Sequence, residues 1–130
     1  MERVPVKSYK DLVVWQKGIM LVDLVYAVTG KFPKEEMYGL TNQIRRAAVS
    51  IPANIAEGWG RDSTKNYLQF LRISRGSLYE VETMLTISFN QKYLDETSLI
   101  TLTDKISEVG RMLNTLIKKL TDYTSEPTNN

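Results

Sequence analysis

Leu99, Leu102, Ile106, Val109, Leu113, Leu116 and Leu120 recur at alternating steps of three and four residues. That spacing places all seven on one side of an α-helix, which completes a turn every 3.6 residues. The seam holds for three heptads, so the helix must lay a long apolar stripe against other elements. No alternating strand pattern competes with it anywhere in the chain.

Three more segments share the helical period. Leu12, Trp15, Ile19, Val22 and Tyr26 form a stripe that Val14, Leu21, Val25 and Val28 widen. Thr29-Gly30-Lys31-Phe32-Pro33 ends it, with Gly30 as the expected left-handed cap. Glu35 and Glu36 suit the first turn of a second helix, where the dipole favours negative charge. Leu40, Ile44, Ala47 or Ala48, Ile51 and Ile55 follow on one face, and Gly58 and Gly60 are expected to stop the helix. Asp62-Ser63 can cap a third helix with a stripe of Tyr67, Leu71, Ser74, Leu78, Val81 and Leu85. Phe70, Ile73, Met84 and Ile87 flank that stripe, and Asp95 caps the fourth helix. Short turns between long helices favour antiparallel neighbours.

The expected fold is therefore all-α, an up-down antiparallel four-helix bundle over residues 9–120, with helices at about 9–29, 35–58, 64–90 and 96–120. Residues 1–8 are expected to form a flexible arm and residues 121–130 a disordered tail. The chain has 130 residues, 42% hydrophobic and 25% charged, which suits one soluble domain. It has no cysteine and no histidine, so disulfides, thiolate nucleophiles, the usual zinc sites and the commonest general base are all ruled out. Neither a signal-like apolar segment nor a membrane-length apolar run is present, and a cytoplasmic location is expected.

Pro52 lies in the middle of the second segment. Inside a helix it removes the hydrogen bond to the Ala48 carbonyl, at a cost of about 3 kcal/mol or more. The expected result is a kink with the apolar face continuing from Ile51 to Ile55. Such a kink either wraps the helix around the bundle or shapes a surface for self-association or a ligand.

YGLTNQIRRAAVSIPANIAEGWGR (38–61), YLQFLRISRGSLYEVET (67–83) and YKDLVVWQK (9–17) together resemble the four-helix-bundle family encoded in intervening sequences of bacterial 23S rRNA genes. The resemblance covers residues 9–120. It implies an up-down four-helix bundle. The family is also similar to the accessory protein of diversity-generating retroelements, a pentameric barrel that binds nucleic acid and a reverse transcriptase. That similarity implies a homopentamer and RNA or DNA as partner.

Net charge is only +2, so affinity for a polyanion depends on where the charges sit. From Thr41 to Ser77 there are six cations, Arg45, Arg46, Arg61, Lys65, Arg72 and Arg75, against two acids, Glu57 and Asp62. Arginine suits bidentate phosphate contacts, and these six are the candidate nucleic-acid site. The competing readings are ion pairs of Arg72 and Arg75 with Glu57, Glu80 or Glu82, or burial at a subunit interface. Trp59 can stack on a base, plug the bundle end or anchor a subunit. Arg75-Gly76-Ser77 is no nucleophile elbow, and Gly76 is expected to allow close helix contact. Phosphate-binding, dinucleotide and triad motifs are lacking, as is the Glu-x-x-His pair of a di-iron bundle. No catalytic residue, metal or cofactor is expected. The function expected is a non-enzymatic, oligomeric nucleic-acid-binding accessory protein, with RNA favoured. The alternative is an oligomeric scaffold for protein partners without nucleic-acid binding.

Overall fold

In the computed structural model, which describes residues 6–125, four α-helices follow one another: α1 (Val13–Thr29), α2 (Leu40–Trp59), α3 (Thr64–Asn90) and α4 (Glu96–Ser125). No strand occurs among the described residues. Each helix touches its two neighbours in a ring, α1 to α2 to α3 to α4 and back to α1, and no diagonal pair meets. The register is antiparallel throughout. Along α2 and α3, Gly58 faces Tyr67, Ile51 faces Ser74 and Ser50 faces Ser77. Along α3 and α4, Arg75 faces Asn114 and Leu78 faces Gly110. The chain is an up-down four-helix bundle.

The helix starts follow their caps. Ser63 Oγ accepts from Asn66 N at 3.1 Å, and Asp95 Oδ1 accepts from Ser98 N at 2.7 Å. Three ends differ from the sequence expectation. Tyr9–Asp11 is a separate 3₁₀ turn closed by a Ser8–Asp11 capping box, so α1 begins at Val13. Glu35 and Glu36 belong to a second 3₁₀ turn, Lys34–Glu36, and α2 begins only after Gly39. Helix α4 continues to Ser125, beyond the expected start of the tail, while residues 1–5 and 126–130 lie outside the described residues.

The left-handed cap also moves. Gly30 is right-handed (φ −61°), and the only positive φ among the described residues belongs to Lys92 (φ 67°). Lys92 N donates to Phe89 O and Tyr93 N to Ser88 O, both at 2.9 Å, which closes α3 in a Schellman arrangement.

Helix α2 runs unbroken through Pro52, which is buried with Ile51 and Ile55. A Cβ at Gly18 of α1 would stand 3.5 Å from Pro52 Cβ, so the proline packs against α1 at Gly18. The two carbonyls before the ring gain side-chain donors: Asn54 Nδ2 reaches Ser50 O at 2.8 Å, and Ser74 Oγ reaches Ile51 O at 2.9 Å. These bonds fix the backbone beside the ring; the carbonyl that the proline deprives of its helical donor is that of Ala48.

The core stripes of α2 and α3 fall where the spacing predicts, from Ile44, Ala47, Ala48, Ile51 and Ile55 to Leu71, Ser74, Leu78, Val81 and Leu85. On α1 the centre of the face is displaced. Val14, Gly18, Leu21 and Val25 are buried, whereas Trp15, Ile19 and Val22 flank them and Tyr26 is 44% exposed. Apolar residues surround most of α1, so periodicity alone could not choose the face that turns inward. On α4 the seam drifts, with Leu102, Ile106, Val109 and Leu113 buried, Leu116 only half-buried, and Ile117 buried in its place. A helix rotates by about 20° per heptad against a 3.5-residue seam, which accounts for the handover.

Two glycines trade the roles expected of them. Gly58 does not stop α2; it is buried inside it, and a Cβ there would meet Phe70 Cβ and Tyr67 Cδ1 at 2.9 Å and Tyr67 O at 3.2 Å. Gly76 was expected at a helix contact, yet a Cβ there meets nothing within 4 Å. Gly58→Ala is expected to destabilise the bundle by about 1–3 kcal/mol through overpacking. Gly76→Ala is expected to stabilise it by up to about 1 kcal/mol through helix propensity. Urea unfolding followed by circular dichroism checks both signs.

Glu108 clamps α1 to α4, taking Lys17 Nζ at 3.0 Å and Lys105 Nζ at 3.1 Å. Those hydrogen bonds, Lys17 first, hold its carboxyl below the usual range against a smaller opposing effect of burial. Its folded pKa is therefore depressed. The stabilisation is complete above the unfolded carboxylate value of about 4.3 and disappears as pH falls through the lower folded value. The urea midpoint is expected to fall less between neutral and about pH 3 in Glu108→Gln than in the parent protein.

Candidate nucleic-acid interface

The closest helix pair, α2 and α3, carries all the sequence-predicted cations or flanks them. The structure does not gather the six into one patch. Arg45 is half-buried on the α1 side of α2, where its Nε donates to Thr29 Oγ1 at 2.8 Å and its guanidinium lies 4.5 Å from the Tyr26 ring centroid. Thr29 Oγ1 in turn donates to Val25 O at 2.7 Å. Arg45 thus fastens α2 to the end of α1. Arg61, past the end of α2, pairs with Glu57 and covers the Phe70 ring at 4.7 Å. Both guanidiniums are engaged in holding the fold together.

Of the other four, three remain available on the outside and Arg75 is tied to α4. Arg46, Lys65 and Arg72 are exposed and have no ion-pair or side-chain hydrogen-bond partner among the described residues. Arg75 is half-buried and donates to Asn114 Oδ1 at 3.0 Å across the seam to α4. None of the expected pairings of Arg72 or Arg75 with Glu57, Glu80 or Glu82 forms. Lys65, Gln69, Arg72 and Ile73 line one shallow depression on α3. Arg46 lines another between α2 and α3, with Gln43, Ser50, Ser77 and Glu80.

Charge on α3 is divided lengthwise. Thr64 to Ser77 carries Lys65, Arg72 and Arg75 and no acid, whereas Leu78 to Asn90 carries Glu80 and Glu82 and no cation. Lys65 stands in the first helical turn, where the macrodipole disfavours a cation. The antiparallel α4 adds to the same end: Arg111, exposed, is three residues before Asn114, and Lys118, paired with Asp122, is four residues after it. Sequence reasoning missed these two, because only the α3–α4 register brings them beside Arg75.

Trp59 is half-buried and meets Tyr67 edge-on at 6.4 Å, so it closes the end of the bundle. The Tyr67 hydroxyl is buried without a partner among the described residues, and burial raises its pKa. Among the described residues no helix is long and apolar enough to cross a membrane.

Comparison with known proteins assigns the fold to a lineage. The profile of the 23S rRNA-intervening sequence protein family matches residues 10–115. The chain belongs to that family. A crystal structure from Bacteroides thetaiotaomicron, described as a protein of unknown function from the S23 ribosomal protein family, superposes with a TM-score of 0.75. It is 21% identical, and the alignment covers 81% of this chain and 98% of that one, so it bears on the fold alone. No curated protein matches the chain. In this member of the 23S rRNA-intervening sequence protein family, exposed cations without an ion-pair partner among the described residues adjoin on α3, at Lys65 and Arg72, and on α4, at Arg111 and Lys119.

The division of labour among the arginines is measurable. Arg45→Ala is expected to cost about 1–2 kcal/mol, since a charged hydrogen bond and a ring contact are lost in a partly buried setting. Arg72→Ala, at an exposed site, is expected to change stability by no more than about 0.5 kcal/mol. Chemical denaturation of the two variants separates a fold arginine from a surface one.

Proposed function

We propose that this protein is a non-enzymatic, oligomeric nucleic-acid-binding accessory protein, favouring RNA, that meets the phosphate backbone with Arg46, Lys65, Arg72 and Arg75. The observation that carries the reading is the acid-free first half of α3, where Lys65 and Arg72 stand exposed and unpaired among the described residues. Cations held apart from counter-charges retain their full attraction for a polyanion. RNA is favoured over DNA by the sequence resemblance alone, which extends to an accessory protein that also binds a reverse transcriptase. Homo-oligomerisation would repeat the patch and raise avidity without new contacts, and a pentamer is the assembly that the sequence resemblance implies.

A scaffold for protein partners takes support from a different place. Met37 and Tyr38, in the turn before α2, are exposed, Tyr38 at 92%. Two large apolar side chains presented to solvent in one turn suit a protein contact.

Fluorescence anisotropy with a structured RNA and a matched DNA duplex, at about 50 and 200 mM salt, tests the reading. Four neutralised phosphates give a slope near −2.8 on single-stranded segments and near −3.6 on the duplex, so affinity is expected to fall about 50-fold and about 150-fold respectively over that range. Lys65→Glu with Arg72→Glu is expected to abolish most of the binding and flatten the slope. Undiminished affinity in that variant overturns the site, and no binding by the folded parent protein at the lower salt favours the scaffold.

A further inference from the structure

Gly76 is the residue that the fold does not explain. It sits in the middle of α3, is exposed, and a Cβ there would touch nothing. Glycine in a helix interior costs about 1 kcal/mol relative to alanine, and no close approach of another helix compensates here. One turn further along stands Tyr79, 51% exposed, with neither a ring partner nor a cation over its face among the described residues. Residues three apart on a helix are surface neighbours, so the bare backbone at Gly76 lies beside the Tyr79 ring.

Gly76, Tyr79, Glu80 and Thr83 of α3, with Met84 behind them and Gln43 of α2 opposite, line an open depression of about 420 Å³. It continues into the depression that Arg46 borders, because Gln43, Glu80 and Met84 line both. The notch falls at the boundary where α3 changes from cations to acids. Arg75 and Arg72 are four and seven residues before Tyr79 on one side, and Arg46 stands across the groove on the other.

We infer that this notch holds a single unpaired guanine of a bound strand, stacked on Tyr79 over the gap at Gly76, with Glu80 accepting from its Watson–Crick edge. The inference rests on the nucleic-acid reading above and names which form of nucleic acid that surface takes. An aromatic face stacks any base, and unpaired bases are the ones free to leave a strand and do so. Glu80 is a carboxylate, which only accepts; guanine alone among the common bases offers two adjacent N–H donors, N1 and the exocyclic amine, on that edge. Gln43 can accept from or donate to the remaining edge atoms. Phosphates belong on Arg46, Arg72 and Arg75, because Glu80 and Glu82 repel them from the lower half of α3. A duplex keeps its bases stacked and presents no free edge, so it meets the cations only.

The test uses the full chain and labelled strands of about ten nucleotides. These are oligo-uridine, oligo-uridine with one central guanine, the same strand with one central adenine, the deoxy counterpart of the guanine strand, and a duplex. The guanine strand is expected to bind about tenfold tighter than oligo-uridine, since guanine gives the Glu80 carboxylate one N–H donor more than the single N3–H of uracil, and one hydrogen bond to a charged group suffices for such a factor. Tyr79→Leu is expected to remove that advantage while duplex binding stays unchanged. Glu80→Gln is expected to equalise guanine and adenine; any general gain from losing a negative charge raises both strands together and leaves their ratio as the readout. An equal guanine advantage in the deoxy strand assigns the notch to the base alone, and a larger one in RNA adds a contact to the ribose; both support the notch. A guanine preference that persists in both variants, or none in the parent protein, overturns the notch and leaves the polyanion surface standing. Failure of every strand and the duplex to bind overturns both.

Discussion

The architecture depends on how closely α2 can approach α3 at Gly58. A side chain there would run into the Tyr67 backbone and Phe70 Cβ. With no side chain, the two helices meet tightly at one end, and the buried Ser74 hydroxyl ties them further along at Ile51 O. This contact sets the register of the pair. The register decides that Arg46 and Gln43 of α2 share a groove with Glu80 of α3. The same end of the bundle is closed by Trp59 against Tyr67, and Arg61 folds back over Phe70.

The six cations illustrate how a fold divides like charges between two tasks. Arg45 and Arg61 lie over aromatic rings and beside hydrogen-bond acceptors, so their charge is partly neutralised where it helps join elements. Arg46, Lys65 and Arg72 point away from those partners. The separation matters because an exposed ion pair adds little stability, whereas an unpaired exposed cation keeps its attraction for anions in solution. The lengthwise split on α3 then orients any polyanion: attracted to the half before Ser77, repelled from the half after it. Gly76 and Tyr79 lie at that border.

Proline, glycine and lysine show where local rules yield to packing. Pro52 is costly in isolation, yet it lies buried against Gly18 of α1 with neighbouring carbonyls bonded by Asn54 and Ser74. Lys92 adopts the left-handed conformation that glycine takes more easily, because α3 must end there for Tyr93 to pack on Phe32 at 5.6 Å. Gly30, which has that freedom, does not use it.

Much of this protein is determined by its sequence alone. The stripes of α2, α3 and α4, the caps at Ser63 and Asp95, the short turns and the bundle class all follow from spacing, because a helix converts a period of 3.6 into a face without reference to anything distant. The family is legible by a different route, from the resemblance of the run through Arg45, Pro52 and Arg61 to known members rather than from spacing. The choice of which face of α1 turns inward was decided only in three dimensions, since that helix is apolar almost all round. So was the replacement of Leu116 by Ile117 in the core. The candidate site belongs to the second kind as well. Six cations in a row of sequence predict a patch, but whether each guanidinium finds Thr29, Glu57 or Asn114 depends on residues 4 to 39 positions away. Helix register brings those partners together, and register is set by side-chain volumes at contacts such as Gly58, which no periodicity records.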